Sequence, residues 1–201
     1  MRSRPGQERD TERRRPGRPR ITDEEVVARA VLQALVERGY DGMTVDHVAR
    51  LAGVGRATLY RRWPTKTAMV VDALARSRLA ALEDPDSGDP QADFEELLRV
   101  LHAAVEREHH IVRVLEIETD RHPDLGIALR RDFVAQRKEV LIRVLRRGAA
   151  AGLLRAPSDL ELLARLGPAL LWEQFALSPD GPSDPELPRR ISRLVFVDSA
   201  S

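Results

Sequence analysis

The stretch Thr44–Lys66, TVDHVARLAGVGRATLYRRWPTK, decides how this chain is read. Thr44 can cap a short helix carrying Val45, Val48, Ala49 and Leu51, and Gly53 breaks it. Arg56 to Trp63 forms a second short helix that must end before Pro64. Two such helices across a tight Ala52-Gly53-Val54 turn predict a helix-turn-helix. Val45, Val48 and Ala49 face inward against Val54 and Leu59, small Ala49 lets the helices approach, and Gly53 takes the turn geometry at little cost. Arg56, Ala57, Thr58, Tyr60, Arg61 and Arg62 are left outward, a face with cations, a hydroxyl, a phenol and no carboxylate. Such a face suits a groove flanked by phosphates. An ordinary helical hairpin with solvated arginines is the competing reading. The glycine turn, the missing carboxylate and the basic segment upstream favour nucleic acid.

Charge is distributed unevenly around this motif. Residues 1–20 hold eight Arg against Glu8, Asp10 and Glu12, a net +5; residues 21–66 carry +1 and residues 67–201 carry −5. The first segment, broken by Pro5, Pro16 and Pro19 and lacking hydrophobic periodicity, predicts a disordered basic arm. A basic head on an acidic body places contact with a polyanion at the head. Because 31 of the 33 basic residues are Arg, placement rather than abundance carries this argument.

Helical periodicity runs through the rest. Thr22 and Glu25 fit a capping box opening a helix that Gly39 ends. Thr65 can cap a fourth helix running to about Leu82, and EDPDSGDPQ (83–91) is a loop that forms the seam between head and body. Further helices are expected over about 90–108, through Ile111–Ile117, and from Pro123 to about Gly148–Gly152. Ser158 with Glu161 opens another, kinked at Gly167-Pro168, and Asp184-Pro185 opens the last.

Composition narrows the function. With 42% hydrophobic and 32% charged residues the chain can be soluble and still bury a core. No run approaches the roughly 20 apolar residues of a membrane span, and the charged opening MRSRPGQERD predicts no secretory leader, so a cytoplasmic protein is expected. Zero cysteines exclude a disulfide scaffold, a zinc finger, an iron–sulfur site and a thiol nucleophile. Aromatics at 4% argue against an all-β fold. In the cluster Glu116, Glu118, Asp120, His122, near His109 and His110, only Glu118 and His122 share a helical face, so no metal is expected. No Ser/His/Asp constellation or phosphate loop points to catalysis, and no cofactor is expected.

At these residues the chain resembles a TetR-family transcriptional regulator. The likeness covers the first helix, GYDGMTVDHVARLAGVGRATLYRRWPTK and the overall length, and extends more loosely to RHPDLGIALRRDFVAQR and LGPALLW. It implies an all-α fold: a basic arm (1–20), a helix-turn-helix DNA-binding domain (21–66) and a C-terminal effector-binding and dimerisation domain (67–201). It also implies roles. Thr44 would bond a phosphate at a helix N-terminus. Arg56 and Arg61 would reach base edges in the major groove, and Ala57 a thymine methyl. Thr58 and Tyr60 would bond phosphates, and Lys66 would hold the DNA backbone. Arg62 and Trp63 replace a His-aromatic pair common in the family, which leaves Trp63 to packing. Gly55 replaces a frequent Ser at a cap.

Recognition of enough base pairs calls for a two-fold dimer on a near-palindromic operator, with recognition helices roughly 34 Å apart or a small multiple of that. Leu163, Leu166, Leu170 and Ile191 are the candidate interface residues, in a four-helix bundle shared between copies. The family resemblance implies a small-molecule pocket in the body. Phe94, His102, Glu116, Phe133 and Trp172 are its candidate lining residues, although each also reads as an ordinary core or surface residue. The reading is a repressor released by a small-molecule effector. An architectural nucleic-acid binder dominated by the arm is the alternative from another class, and a helical enzyme with a vestigial head is a third.

The arm itself, Arg15-Pro16-Gly17-Arg18-Pro19-Arg20, resembles the Gly-Arg-Pro core of an AT-hook and would lay Arg18 and Arg20 into a narrow minor groove. Deleting residues 1–20 is expected to weaken operator binding and make its salt dependence shallower. A salt titration with unchanged slope contradicts the arm's role.

Overall fold

The computed structural model describes residues 23–77, 79, 82–155, 159–176 and 183–197. The arm with Arg18 and Arg20, and the capping residues Thr22 and Ser158, lie outside the described residues. Nine α-helices are described: α1 (Asp23–Gly42), α2 (Val45–Ala52), α3 (Arg56–Arg62), α4 (Lys66–Ala75), α5 (Pro90–Arg121), α6 (Pro123–Leu129), α7 (Ala135–Ala150), α8 (Leu160–Ala176) and α9 (Leu187–Val195). A π-helical turn, Arg130–Val134, joins α6 to α7. The only pairing of extended backbone among the described residues is an isolated bridge between Leu154 and Phe196. None of the described helices is long and apolar enough to cross a membrane.

The head is assembled by its caps. Thr44 Oγ1 accepts from His47 N at 3.2 Å to start α2. Gly53, at φ 67°, ends it in the left-handed region, with Val54 N donating to the Ala49 carbonyl and Gly53 N to Arg50. Thr65 Oγ1 accepts from Ala68 N at 3.0 Å to start α4. Val48, Ala49, Leu59 and Trp63 are buried against Val27, Val31 and Leu35 of α1. This core crosses the expected seam: α4, Val105, Ile111 and Leu115 of α5, Leu125, Leu129 and Phe133 belong to it. A second core, in the body, packs Phe94, Leu97, Leu98 and Leu101 against Leu141, Val144, Leu145, Leu171, Val195 and Phe196.

Several boundaries differ from the sequence reading. The fourth helix stops at Ala75 rather than Leu82, because Ser77 Oγ and Ser77 N both donate to the Leu74 carbonyl and tighten the turn there. The two helices expected over 90–117 are one, with a single distortion at Glu108 (φ −114°, ψ 15°). The long helix from Pro123 is interrupted by the π turn. Asp159 caps α8, its Oδ1 accepting from Leu162 N at 3.1 Å. Asp184-Pro185 forms a turn ahead of α9 rather than its cap, with Asp184 O accepting from Leu187 N, so the helix opens two residues later. Ile191 is corrected as an interface candidate: at 1% exposure it fills its own chain's core and has no surface to offer a partner. Leu163, Leu166 and Leu170 are half-buried, while Leu162 of α8 and Leu194 of α9 stand 59% and 67% exposed.

The loop expected over 83–91 is pinned by one side chain of α7. Arg147 donates to both Asp84 oxygens, at 2.6 and 2.8 Å, and to Asp93 Oδ2 at 2.9 Å. Asp93 is 2% exposed and also accepts from Ser87 Oγ. The Arg147 bond holds the Asp84 carboxyl below the usual carboxylate range, against the opposing effect of burial. A carboxyl depressed on folding contributes stability above its unfolded pKa and loses it as pH falls through the folded value. Arg147→Met is therefore expected to cost about 2–3 kcal/mol at pH 7 and clearly less near pH 3. Denaturant titrations at the two pH values check this; an equal loss at both contradicts the assignment.

Candidate functional site

Among the six outward residues of α3, the structure separates the free from the tethered. Tyr60 is 56% exposed, and Ala57, Thr58 and Arg61 are exposed. No described residue pairs with the Arg61 guanidinium. Arg56 is not free: its Nη1 lies 2.7 Å from Asp46 Oδ2 of α2. The carboxylate-free face therefore holds for α3 alone, and the expectation is corrected for the motif, because the turn folds α2's first acidic residue beside α3's first basic one. Arg62 is drawn away to Glu24 of α1 at 2.6 Å, where Arg76 also pairs, and lies 5.8 Å from the Trp63 ring centroid. Trp63 packs in the core, and His47 is buried with its Nε2 3.3 Å from Glu37. Gln33 and His47 together hold the exposed Glu37 carboxyl below its ordinary value.

Thr44 and Lys66 are brought to structural positions as well. Lys66 Nζ donates to the Tyr40 carbonyl at 2.6 Å and sits 4.3 Å from the Tyr40 ring centroid, neutralising the end of α1. The lysine thus braces the start of α4 against the end of α1 through its ammonium, and any reach to DNA uses its remaining donors.

The same turn of α1 is gripped from the body. Gly39, at φ 66° and ψ 177°, redirects the backbone. Tyr40 N then donates to Glu118 Oε1 of α5 at 2.9 Å. A Cβ at position 39 would come 2.5 Å from that carboxylate oxygen, so glycine is required twice over. His122 Nε2 lies 3.2 Å from Asp41 and 3.6 Å from Glu118, its ring 4.7 Å from that of Tyr40. Sequence reading set Glu118 and His122 aside as an incomplete metal pair, and the fold makes them the head–body joint. Among the described residues no three His, Cys, Asp or Glu side chains form a metal-holding group.

In the body, a cavity of about 280 Å³ lies between α5, α6, the π turn, α7 and α8. Three of the five lining candidates meet there: Glu116, Phe133 and Trp172, with Trp172 Nε1 donating to Glu116 Oε1. The other two are corrected. Phe94 is fully buried in the second core against Phe196, and His102 is buried with its Nε2 2.9 Å from Ser183 Oγ, on the far side of α5's apolar row. Sequence reading missed Arg137, which lines the cavity with its guanidinium 5.1 Å from the Phe133 ring centroid. Arg137 lies one helical turn after Phe133, in line with Leu129 and Phe133, but a charged residue on that face does not read as part of a cavity wall. A larger cleft of about 690 Å³, between α1, α4 and α5, is flanked by Glu25, Glu37 and Glu108 as well as Arg29 and Arg76.

Comparisons with known proteins bear on both regions. Residues 28–73 match the profile of bacterial regulatory proteins of the tetR family, and residues 84–195 match a tetracyclin repressor-like C-terminal domain. An uncharacterised HTH-type transcriptional regulator of Mycobacterium tuberculosis, Rv1556, is 31% identical over 137 residues, 68% of this chain and 66% of that protein. The matched stretch thus spans just under two thirds of that relative. The crystal structure of the TetR family transcription regulator SCO0332 superposes with a TM-score of 0.63 at 28% identity, over 85% of this chain and 94% of that one. FadR from Bacillus subtilis, solved with stearoyl-CoA, shares the fold at a TM-score of 0.70 and 14% identity, over 85% and 96%.

Arg56→Ala and Arg61→Ala are each expected to cost about 1–3 kcal/mol on a preferred duplex. The loss on random-sequence DNA should be smaller and comparable for the two. Fluorescence anisotropy on both duplexes checks this. Equal losses on the two would reduce these arginines to phosphate contacts.

Proposed function

The chain belongs to the TetR family of bacterial transcriptional regulators, and we propose that it acts as a cytoplasmic, dimeric repressor that leaves a near-palindromic operator when a small molecule enters its body. The observation carrying the DNA-binding half is the exposed row Arg56, Ala57, Thr58, Tyr60 and Arg61 on a short helix seated on a rigid core. Arg61 and Arg56 read base edges, with Arg56 exchanging Asp46 for a guanine. Ala57 meets a thymine methyl. Thr44, Thr58 and Tyr60 hold phosphates, and Lys66 adds a backbone contact from the start of α4. The arm residues Arg18 and Arg20 enter the adjacent minor groove.

Two features support the regulatory half. The exposed Leu162 and Leu194, with the half-buried Leu163, Leu166 and Leu170, give α8 and α9 an apolar face that a second copy covers. The cavity wall is mechanically joined to the head. α6 and the π turn, which line it, also pack on α4, and Glu116 and Thr119 line it within two residues of Glu118 on the same helix. A ligand that shifts this end of α5 displaces the Tyr40 grip and α4 together, and about 1–3 kcal/mol of coupling suffices to release DNA. FadR, a protein of the same fold solved with stearoyl-CoA, supports a small-molecule effector.

Selection from random DNA tests the reading. The expected product is a pair of inverted half-sites whose centres are about one helical repeat apart, or a small multiple. Leu162→Asp with Leu194→Asp should give a monomer by sedimentation and weaken binding to the two-half-site duplex far more than to one half-site. A single asymmetric site, or no enrichment, overturns it.

A further inference from the structure

Arg137 is the anomaly of the body. Its Nε is buried without a hydrogen-bond partner, and no carboxylate among the described residues pairs with it. Burial alone pushes its guanidinium down to about 10, so it stays charged at neutral pH. Arg137 as a whole is half-buried, and a cation without a partner in such a place is ordinarily paired or replaced by an apolar residue. Here it stands on the partition between two voids. The first is the 280 Å³ cavity lined by Leu101, Val105, Leu115, Phe133 and Trp172. The second, of about 210 Å³, shares Leu101, Val134, Arg137 and Pro168 and adds Lys138 and Arg165.

The other charged groups facing these voids leave an excess of positive charge. Glu116 is the one acid on either wall among the described residues, and it is engaged by Trp172 Nε1. Lys138 is neutralised by Glu161 at 2.6 Å. Arg130 lines the first void near Gly126, and exposed Arg165 the mouth of the second. The cationic donors of the first void are thus Arg137 and Arg130, and of these Arg137 alone also faces the second void.

We propose that the effector is a small monocarboxylic acid whose carboxylate pairs with Arg137 and whose apolar body lies against Phe133, Trp172 and Leu115. This rests on the cavity being the effector site. The chamber is slightly below the roughly 300 Å³ at which ordinary ligand pockets begin, which limits the body to one ring or a medium-length chain. A planar carboxylate matches a single guanidinium bidentately.

The test uses the full-length protein with 4-phenylbutyrate and decanoate, each against its primary amide, read by Trp172 fluorescence in a Trp63→Phe background and by calorimetry. Each acid is expected to bind roughly 10- to 100-fold tighter than its amide. Arg137→Met and Arg137→Gln should erase that preference while keeping the amide's affinity, with no fall in Tm in either variant. Equal binding of acid and amide, an acid preference that survives both variants, or no binding by either acid overturns the proposal. A preference that obeys Arg137 but leaves affinity for the selected operator unchanged sustains the carboxylate site and refutes the effector role alone.

Discussion

The structure turns on the bond between Tyr40 N and the buried carboxylate of Glu118. Gly39 makes it possible by turning the end of α1 so that its amide faces α5 and by leaving no Cβ in the carboxylate's path. Lys66 holds the neighbouring carbonyl from the other side, and Tyr40 Oη meets Thr67 Oγ1 at 2.8 Å. One turn of α1 is therefore shared by the head, by α4 and by the body. A charge-assisted hydrogen bond in such a place is worth more than a surface pair and is costly to break halfway. The end of α5 and the end of α1 are thus in direct polar contact.

The free head is electrostatically self-satisfied in a way that prepares it for DNA. Arg56 rests on Asp46, Arg62 and Arg76 on Glu24, and His47 on Glu37. The Arg56–Asp46 pair is exposed on both sides, so it is worth little and leaves Arg56 exchangeable. Arg62 is held more firmly because Glu24 bridges it to Arg76. This ranks the arginines: Arg61 is at liberty among the described residues, Arg56 is exchangeable, and Arg62 belongs to the α1–α4 scaffold.

Much of this was legible in the sequence because caps and turns are local. Thr44, Gly53 and Thr65 each fix a helix end through neighbours within a few positions, and the structure uses every one of them. What escaped was whatever depends on distance along the chain or on a charge set in an apolar face. Arg137's place on the cavity wall was missed although it follows Phe133 by one helical turn, because a charge on an apolar face does not read as lining a void. Glu118 and His122 looked like half a metal site because their partners, Tyr40 and Asp41, are some eighty residues away. Phe94 and Ile191 were misplaced because apolar periodicity reports burial but not which core receives the residue.

The central claim, that α3 lies in the major groove and reads bases through Arg61 and Arg56, is tested most directly by dimethyl sulfate protection on the selected duplex. Methylation at guanine N7 reports the major groove and at adenine N3 the minor. The account predicts guanine N7 protection in two patches about one helical repeat apart, with one guanine per patch re-exposed in Arg61→Ala. Protection confined to adenine N3, with every guanine N7 still reactive, would contradict it.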